Sequence, residues 1–238
     1  MKTKTIILIA TIIAGTYFTG FSQETKSNKV SGGLGYFMIG YTGLDLGNMN
    51  SLFKEYGYPQ LSNSSFTFGG GGHFIFKNFI IGGEGHGISG SSSSNANYDL
   101  KMGGGYGFFN LGYILYHNPT VNVYPLLGFG GGGSTIGITD KSKNPENFDD
   151  LLKNPARESY ITNGGFMLNF SLGADFFVLA SKTENASGGW VTGIKVGYIY
   201  NVSGNDWYFN NEKITGSPNA GVSGPYLRLT IGGGGLGK

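Results

Sequence analysis

Four charged residues stand out because each falls on the polar side of an otherwise apolar stretch: Glu84, Asp175, Lys195 and Arg228. Facing set by chance would place all four there about one time in sixteen under the period-two rule of an extended chain. A buried charge has to be neutralised by another, so two acids and two bases sharing one enclosed space predict an ion network. The same four charges lining an open channel would instead make a gated pore. The network is the preferred reading, because bulky neighbours such as His73 and Tyr226 share the same face.

Other chemistry is weaker. His73, Glu84 and His86 share one face of a hairpin, and a His-carboxylate pair can orient a base for acyl transfer. Such a site needs a positioned nucleophile. Ser89 is the nearest candidate, and no Gly-x-Ser-x-Gly elbow occurs. His117 belongs to a separate turn, so the three histidines do not form a metal-ligand set. The glycine runs lack the Lys-Ser/Thr pair and following helix of a phosphate loop. The sequence therefore predicts no enzyme, no metal and no cofactor.

The elements that carry these residues read as strands. Period-two alternation bounded by turn residues predicts eight, at 30–46, 64–76, 79–90, 97–116, 121–139, 160–180, 190–203 and 222–236. In the sixth, Phe166, Leu168, Phe170, Leu172, Ala174, Phe176 and Val178 share one face, opposite Asn163, Asn169, Ser171 and Asp175. The seventh sets Trp190, Ile194, Val196, Tyr198 and Tyr200 opposite Gly193, Lys195, Gly197 and Asn201. The eighth sets Leu227, Leu229 and Ile231 opposite Tyr226, Arg228 and Thr230. The fourth and fifth are too uniformly apolar for their faces to be assigned. Glu84, Asp175 and Lys195 each lie five residues from the short-turn end, roughly 17 Å along a strand and hence near mid-membrane.

Short connections at 77–78, 117–120 and 181–189 alternate with long ones at 47–63, 140–159 and 204–221, and 91–96 is a short exception. That asymmetry, with apolar outward faces and polar inward ones, predicts an all-β fold: an eight-stranded antiparallel up-and-down transmembrane β-barrel. A soluble cup would reverse the pattern and needs a charged exterior. Aromatics gather at the short-turn end, as Phe76, Phe79, Tyr113, Tyr116, Tyr124, Phe176 and Trp190, and predict one membrane-interface girdle. Pairing Phe76 with Phe79 around Lys77-Asn78 places Gly72 opposite Gly83 and Gly70 opposite Gly85.

Composition agrees. Of 238 residues, 45 are glycine, against an ordinary level near 7 per cent, while charged residues make up only 13 per cent. No Gly-X-Y period exists, and aromatics at 15 per cent exclude a disordered linker. A narrow, strongly coiled barrel explains the glycines. Lys2 and Lys4, the apolar run 6–18, and the small residues Gly20 and Ser22 predict a signal peptide over 1–22 and a mature domain over 23–238. Removing it takes two of the 16 basic residues and leaves the rest balanced against the 14 acidic ones, which excludes a nucleic-acid partner. Cysteine is absent, so sheet pairing and packing must hold the fold.

In the first long connection, Leu52, Phe53 and Tyr56 have helical spacing between asparagine caps and a Gly57-Tyr58-Pro59 stop. Phe148 and Leu151 repeat the idea in the second, at 140–159. These short extracellular helices are read equally well as contacts for an extracellular or outer-membrane protein partner, or as covers for the lumen.

Several motifs carry a family resemblance. They are the Ser22-Gln23 export boundary, the Gly57-Tyr58-Pro59 helix stop, the hairpin joining Phe68-Gly69-Gly70-Gly71-Gly72 to Ile81-Gly82-Gly83-Glu84-Gly85, and Gly224-Pro225-Tyr226-Leu227-Arg228-Leu229-Thr230-Ile231-Gly232-Gly233 near the end. On these the chain resembles small eight-stranded outer-membrane barrels of the OmpA/OmpX kind and, more closely, outer-membrane β-barrel proteins of Bacteroidota. The resemblance implies residence among outer-membrane lipids of a bacterial cell. Its motifs specify architecture and not activity, and it is the residues themselves, with no positioned nucleophile and with exposed loops, that favour a non-enzymatic role, structural or partner-binding. The alternative is a barrel that binds or passes a small apolar ligand.

Overall fold

The computed structural model describes residues 29–153, 158–182, 186–203 and 206–237. The expected signal peptide lies outside the described residues. Eight strands form the wall: β1 (Ser31–Gly43), β2 (Ser64–Phe76), β3 (Phe79–Ser94), β4 (Tyr98–Tyr113), β6 (Val121–Asp140), β7 (Glu158–Lys182), β8 (Ala186–Asn201) and β11 (Gly224–Gly237). Each pairs antiparallel with its neighbour, and β11 pairs with β1 from Ser31↔Gly237 to Thr42↔Tyr226, which closes the sheet into a barrel. Two-residue β5 (Tyr116–His117) pairs with β6 at the short-turn end. The hairpin of β9 (Trp207–Phe209) and β10 (Glu212–Lys213) pairs with β7 at Ile161–Asn163, towards the opposite end.

Turn chemistry sets the registers. Lys77 and Asn78 both hold positive φ, 49° and 74°, the type I′ geometry that matches the twist of a two-residue hairpin. Phe76 therefore pairs with Phe79, and Gly72 and Gly70 meet Gly83 and Gly85. Asn210 and Asn211 repeat the device in the β9–β10 hairpin. That hairpin is not expected from the sequence, since its strands are too short to show a period. β3 also runs four residues past the predicted end, through a bulge between Ile88 and Ser91.

The outer face is apolar. On β7, Phe166, Phe170, Leu172, Phe176 and Val178 are exposed while Asn169 and Asp175 are buried. The same alternation holds on β8 and β11. β4 and β6 now receive faces: Phe109, Leu111 and Leu127 point out, and Tyr106, Phe108, Tyr124 and Ile136 point in. The short-turn aromatics lie exposed except Tyr124, which is 1 % accessible inside the barrel, so it leaves the predicted girdle. Its neighbours Val123 and Pro125 take the outward positions of β6 instead.

The interior corrects the expectation of a polar lumen. Leu100, Met102, Ile136, Met167 and Ile199 form an apolar plug at the long-loop end. Val30, Ile75, Ile80, Leu126 and Leu236 belong to a second plug at the short-turn end. Polar and charged side chains occupy the layer between. Inward glycines permit close strand approach and make room for this filling: a Cβ at Gly130 would stand 1.9 Å from the Gly107 carbonyl oxygen of neighbouring β4, and one at Gly173 would meet the Tyr124 ring at 2.5 Å. Outward, Gly35 and Gly85 have open space.

Helix α1 (Gly47–Glu55) closes the long-loop mouth. Its start at Leu46 has no side-chain cap, so the expected asparagine cap does not form. It ends as read: Gly57 takes φ 76°, and Tyr58 and Gly57 donate to the Phe53 and Lys54 carbonyls at 2.7 and 3.2 Å, a Schellman stop. Asn50 then ties the helix to the following segment, donating to the Leu61 carbonyl at 2.8 Å while accepting from the Leu61 N–H at 2.9 Å. Helix α2 (Phe148–Lys153) lies in the long loop between β6 and β7.

Candidate functional site

The middle layer is built around Glu84, which β3 points inward between Ile80 and Ile88. Its Oε1 accepts from Arg228 Nη1 at 2.8 Å, and its Oε2 accepts from Lys195 Nζ at 3.2 Å. All three residues are buried. Strand register explains the convergence, since Arg228 on β11 pairs with Lys195 on β8 and both point into the lumen towards β3. Tyrosines complete their shells. Lys195 donates to Tyr36 Oη at 2.8 Å, and Arg228 donates from Nη2 to Tyr106 Oη at 3.1 Å. The Arg228 guanidinium also lies 3.6 Å from the Tyr226 ring centroid, and Tyr106 shares a 2.9 Å hydrogen bond with Thr42. Tyr226 in turn donates to Asn169 Oδ1 at 2.9 Å.

Asp175 is held apart from that hub. Directly opposite Lys195 across the β7–β8 ladder stands Gly173, and the Tyr124 ring covers it. Asp175 lies one inward position nearer the short-turn end. It accepts from Tyr124 Oη at 2.8 Å and sits 3.9 Å from His73 Nε2. Its link to Lys195 runs through His73 and Tyr36, whose ring nitrogen and hydroxyl lie 3.3 Å apart. The four predicted charges thus occupy one layer, Lys195 and Arg228 both on Glu84 and Asp175 joined through a tyrosine and a histidine.

The candidate acyl-transfer set does not assemble. His86 lies 3.4 Å from Glu84 and stacks on Tyr106, whereas His73 turns to Tyr36 and Asp175. Ser89 is exposed at the bulge, and what it offers is its carbonyl, which accepts from Ser65 Oγ at 2.6 Å. His117 bonds Asn122 at the short-turn end. Among the described residues no group of three or more histidines and carboxylates stands close enough to hold a metal ion.

On the loops, Phe53 corrects its reading as a partner contact: it is 6 % exposed and packs into the upper plug, because α1 turns Met49, Asn50 and Phe53 towards the barrel. Leu52 and Tyr56 face out from the same helix, and Phe148 and Leu151 of α2 are exposed. Sequence reasoning missed Tyr36, Tyr106 and Tyr124 as partners of the charges. The available signal was their even spacing with His and Asn on the inward face.

No protein-family model matches the chain, and no curated relative matches it. Solved structures similar to it include the attachment invasion locus protein Ail of Yersinia pestis, 12 % identical over 87 % of this chain and 97 % of that one, with TM-score 0.40. The outer membrane protease OmpT of Escherichia coli is 12 % identical over 88 % and 95 %, TM-score 0.34. The outer membrane protein OprG of Pseudomonas aeruginosa is 12 % identical over 87 % and 95 %, TM-score 0.34. No activity is carried over from any of them.

Proposed function

We propose that the chain is a non-enzymatic bacterial outer-membrane barrel with a closed lumen, structural or binding a protein partner through its extracellular loops. One observation carries this reading: Glu84 is satisfied by Lys195 and Arg228 in a layer sealed by an apolar plug on each side. An ion crossing that layer would have to break buried pairs and then enter hydrocarbon-like packing, which is costly at each step. The apolar exterior supports a lipid setting, since a water-facing barrel would not expose Phe74, Leu229 and Ile231 together. Exposed Phe148 and Leu151 on α2, with Leu52 and Tyr56 on α1, support the loops as the contact surface.

Purified protein in planar bilayers is expected to give no stable conductance. Steady ion-selective channels whose selectivity changes in Arg228→Leu would overturn the closed-lumen reading. In fractionated cells the protein should sediment with outer membrane and show heat-modifiable gel mobility, and recovery as a soluble protein would overturn the membrane reading. The apolar upper plug favours a second reading, in which a small apolar ligand replaces part of the filling. Deleting the α2 loop discriminates the two: partner capture should be lost, whereas ligand affinity would be unchanged.

A further inference from the structure

On the outer face, the β1–β11 ladder is interrupted near the long-loop end. The β1–β11 register ends at Thr42↔Tyr226 and resumes as a bridge at Asp45↔Gly221, so two residues of the β1 side face four of the β11 side. Pro225, which has no N–H to donate, lies in that interval. Gly43 packs against it, and a Cβ there would stand 3.0 Å from the Pro225 ring. The missing side chain and the broken ladder leave an open groove of about 710 Å³.

Its position fits a lipid. Tyr41, Leu227 and Tyr198 line it and are all exposed on the outer face. Tyr41 packs edge-on against exposed Phe66, which with Tyr198 and Tyr200 marks an aromatic level near the long-loop end. Rings at that level mark the boundary between acyl chains and headgroups. The rim above is polar and contains Asn63, Ser64 and Asp45. Asp45 is the charged residue of the lining, and among the described residues its carboxylate makes no ion pair. Its backbone alone is engaged, in the bridge to Gly221.

We propose that this seam seats an outer-leaflet lipid with an ammonium-bearing headgroup. The lipid's chain lies on Leu227 and Tyr198, its ammonium pairs with Asp45, and the Ser64 hydroxyl donates to its phosphate. A purely anionic headgroup would meet Asp45 with no cation in the lining to offset the repulsion. The proposal rests on the outer-membrane reading above.

The test compares lysophosphatidylethanolamine with lysophosphatidylglycerol retained on the full chain, released from detergent micelles and weighed by native mass spectrometry. Heat-modifiable mobility is measured on every sample, so a barrel that fails to form is told apart from a site that fails to bind. The unmutated protein should favour the ammonium lipid about fivefold, the size of a single partly exposed ion pair. Asp45→Asn should abolish that preference and Asp45→Lys should reverse it, both with normal mobility. Ser64→Trp, which fills the groove from β2, should lose retention of both lipids. Equal retention of the two lipids by the unmutated barrel, or a preference that survives Asp45→Lys, would overturn the site. Unchanged retention in Ser64→Trp would place the lipid elsewhere. Absence of heat-modifiable mobility in the unmutated protein would overturn the membrane reading and the site with it.

Discussion

Arg228→Leu is the sharpest probe of the middle layer. The substitution removes the 2.8 Å bond to Glu84, the 3.1 Å bond to Tyr106 and the contact with the Tyr226 ring. Glu84 keeps Lys195 at 3.2 Å, but the layer now holds two carboxylates and one cation. Breaking a buried pair costs roughly 3–5 kcal/mol, and leucine returns part of that through apolar packing, so a net loss of about 3 kcal/mol is expected. Glu84→Gln alone should be worse, about 4–5 kcal/mol, because it leaves two buried cations side by side across the β8–β11 ladder. The double variant should be more stable than Arg228→Leu by about 1–2 kcal/mol, since removing the acid restores the charge balance. Urea unfolding of barrels refolded into lipid vesicles measures this, with fluorescence from outward-facing Trp190 and buried Trp207. With a slope near 2 kcal/mol per molar, Arg228→Leu should move the midpoint by about 1.5 M. A midpoint within about 0.3 M of the unmutated protein, or a double variant weakened by the full sum of both single losses, would refute the account.

The glycines divide into two classes by the same assay. Gly130→Ala drives a methyl into the Gly107 carbonyl and should cost about 1–3 kcal/mol, whereas Gly85→Ala enters open space and should stay within about 0.5 kcal/mol. Equal effects would remove the steric reason for the inward glycines. The hairpin ends on the long-loop side should respond to acid. Hydrogen bonding from Ser94, then from Lys141, holds the Asp99 carboxyl below the usual range, and Ser142 followed by Lys143 does so for Asp140. A depressed folded value means the contribution is present above the unfolded value of about 3.9 and is lost as pH falls through the folded one. Protection of the amides at 94–101 and 139–144, taken relative to the intrinsic exchange rate at each pH, should therefore fall below about pH 4 while the barrel strands stay protected. Loss of protection already at pH 6 would contradict those shifts.

Local rules made the wall legible. Alternation along a strand has a period of two whatever the strand packs against, so Phe170 and Leu172 could be separated from Asn169 and Asp175 by counting. A two-residue turn at Lys77-Asn78 leaves one register for the glycines on either side of it. The inward facing of Glu84, Asp175, Lys195 and Arg228 followed from the same count. Closure decided the rest. Which charge meets which depends on the stagger between strands far apart in sequence, and Glu84 lies 144 positions from Arg228. Tyr124 carried a girdle residue's composition and an interior residue's position, and only the β6 partners on both sides show that its ring fills the space over Gly173. Phe53 likewise reads as a surface contact in its helix, until the barrel mouth beneath α1 supplies the apolar plug into which it packs. The two plugs draw Leu100, Ile136 and Leu126 from the uniformly apolar β4 and β6, and Met167, Ile199 and Leu236 from strands whose alternation was legible, so their existence is a property of the closed cylinder, where every inward side chain must share one narrow volume.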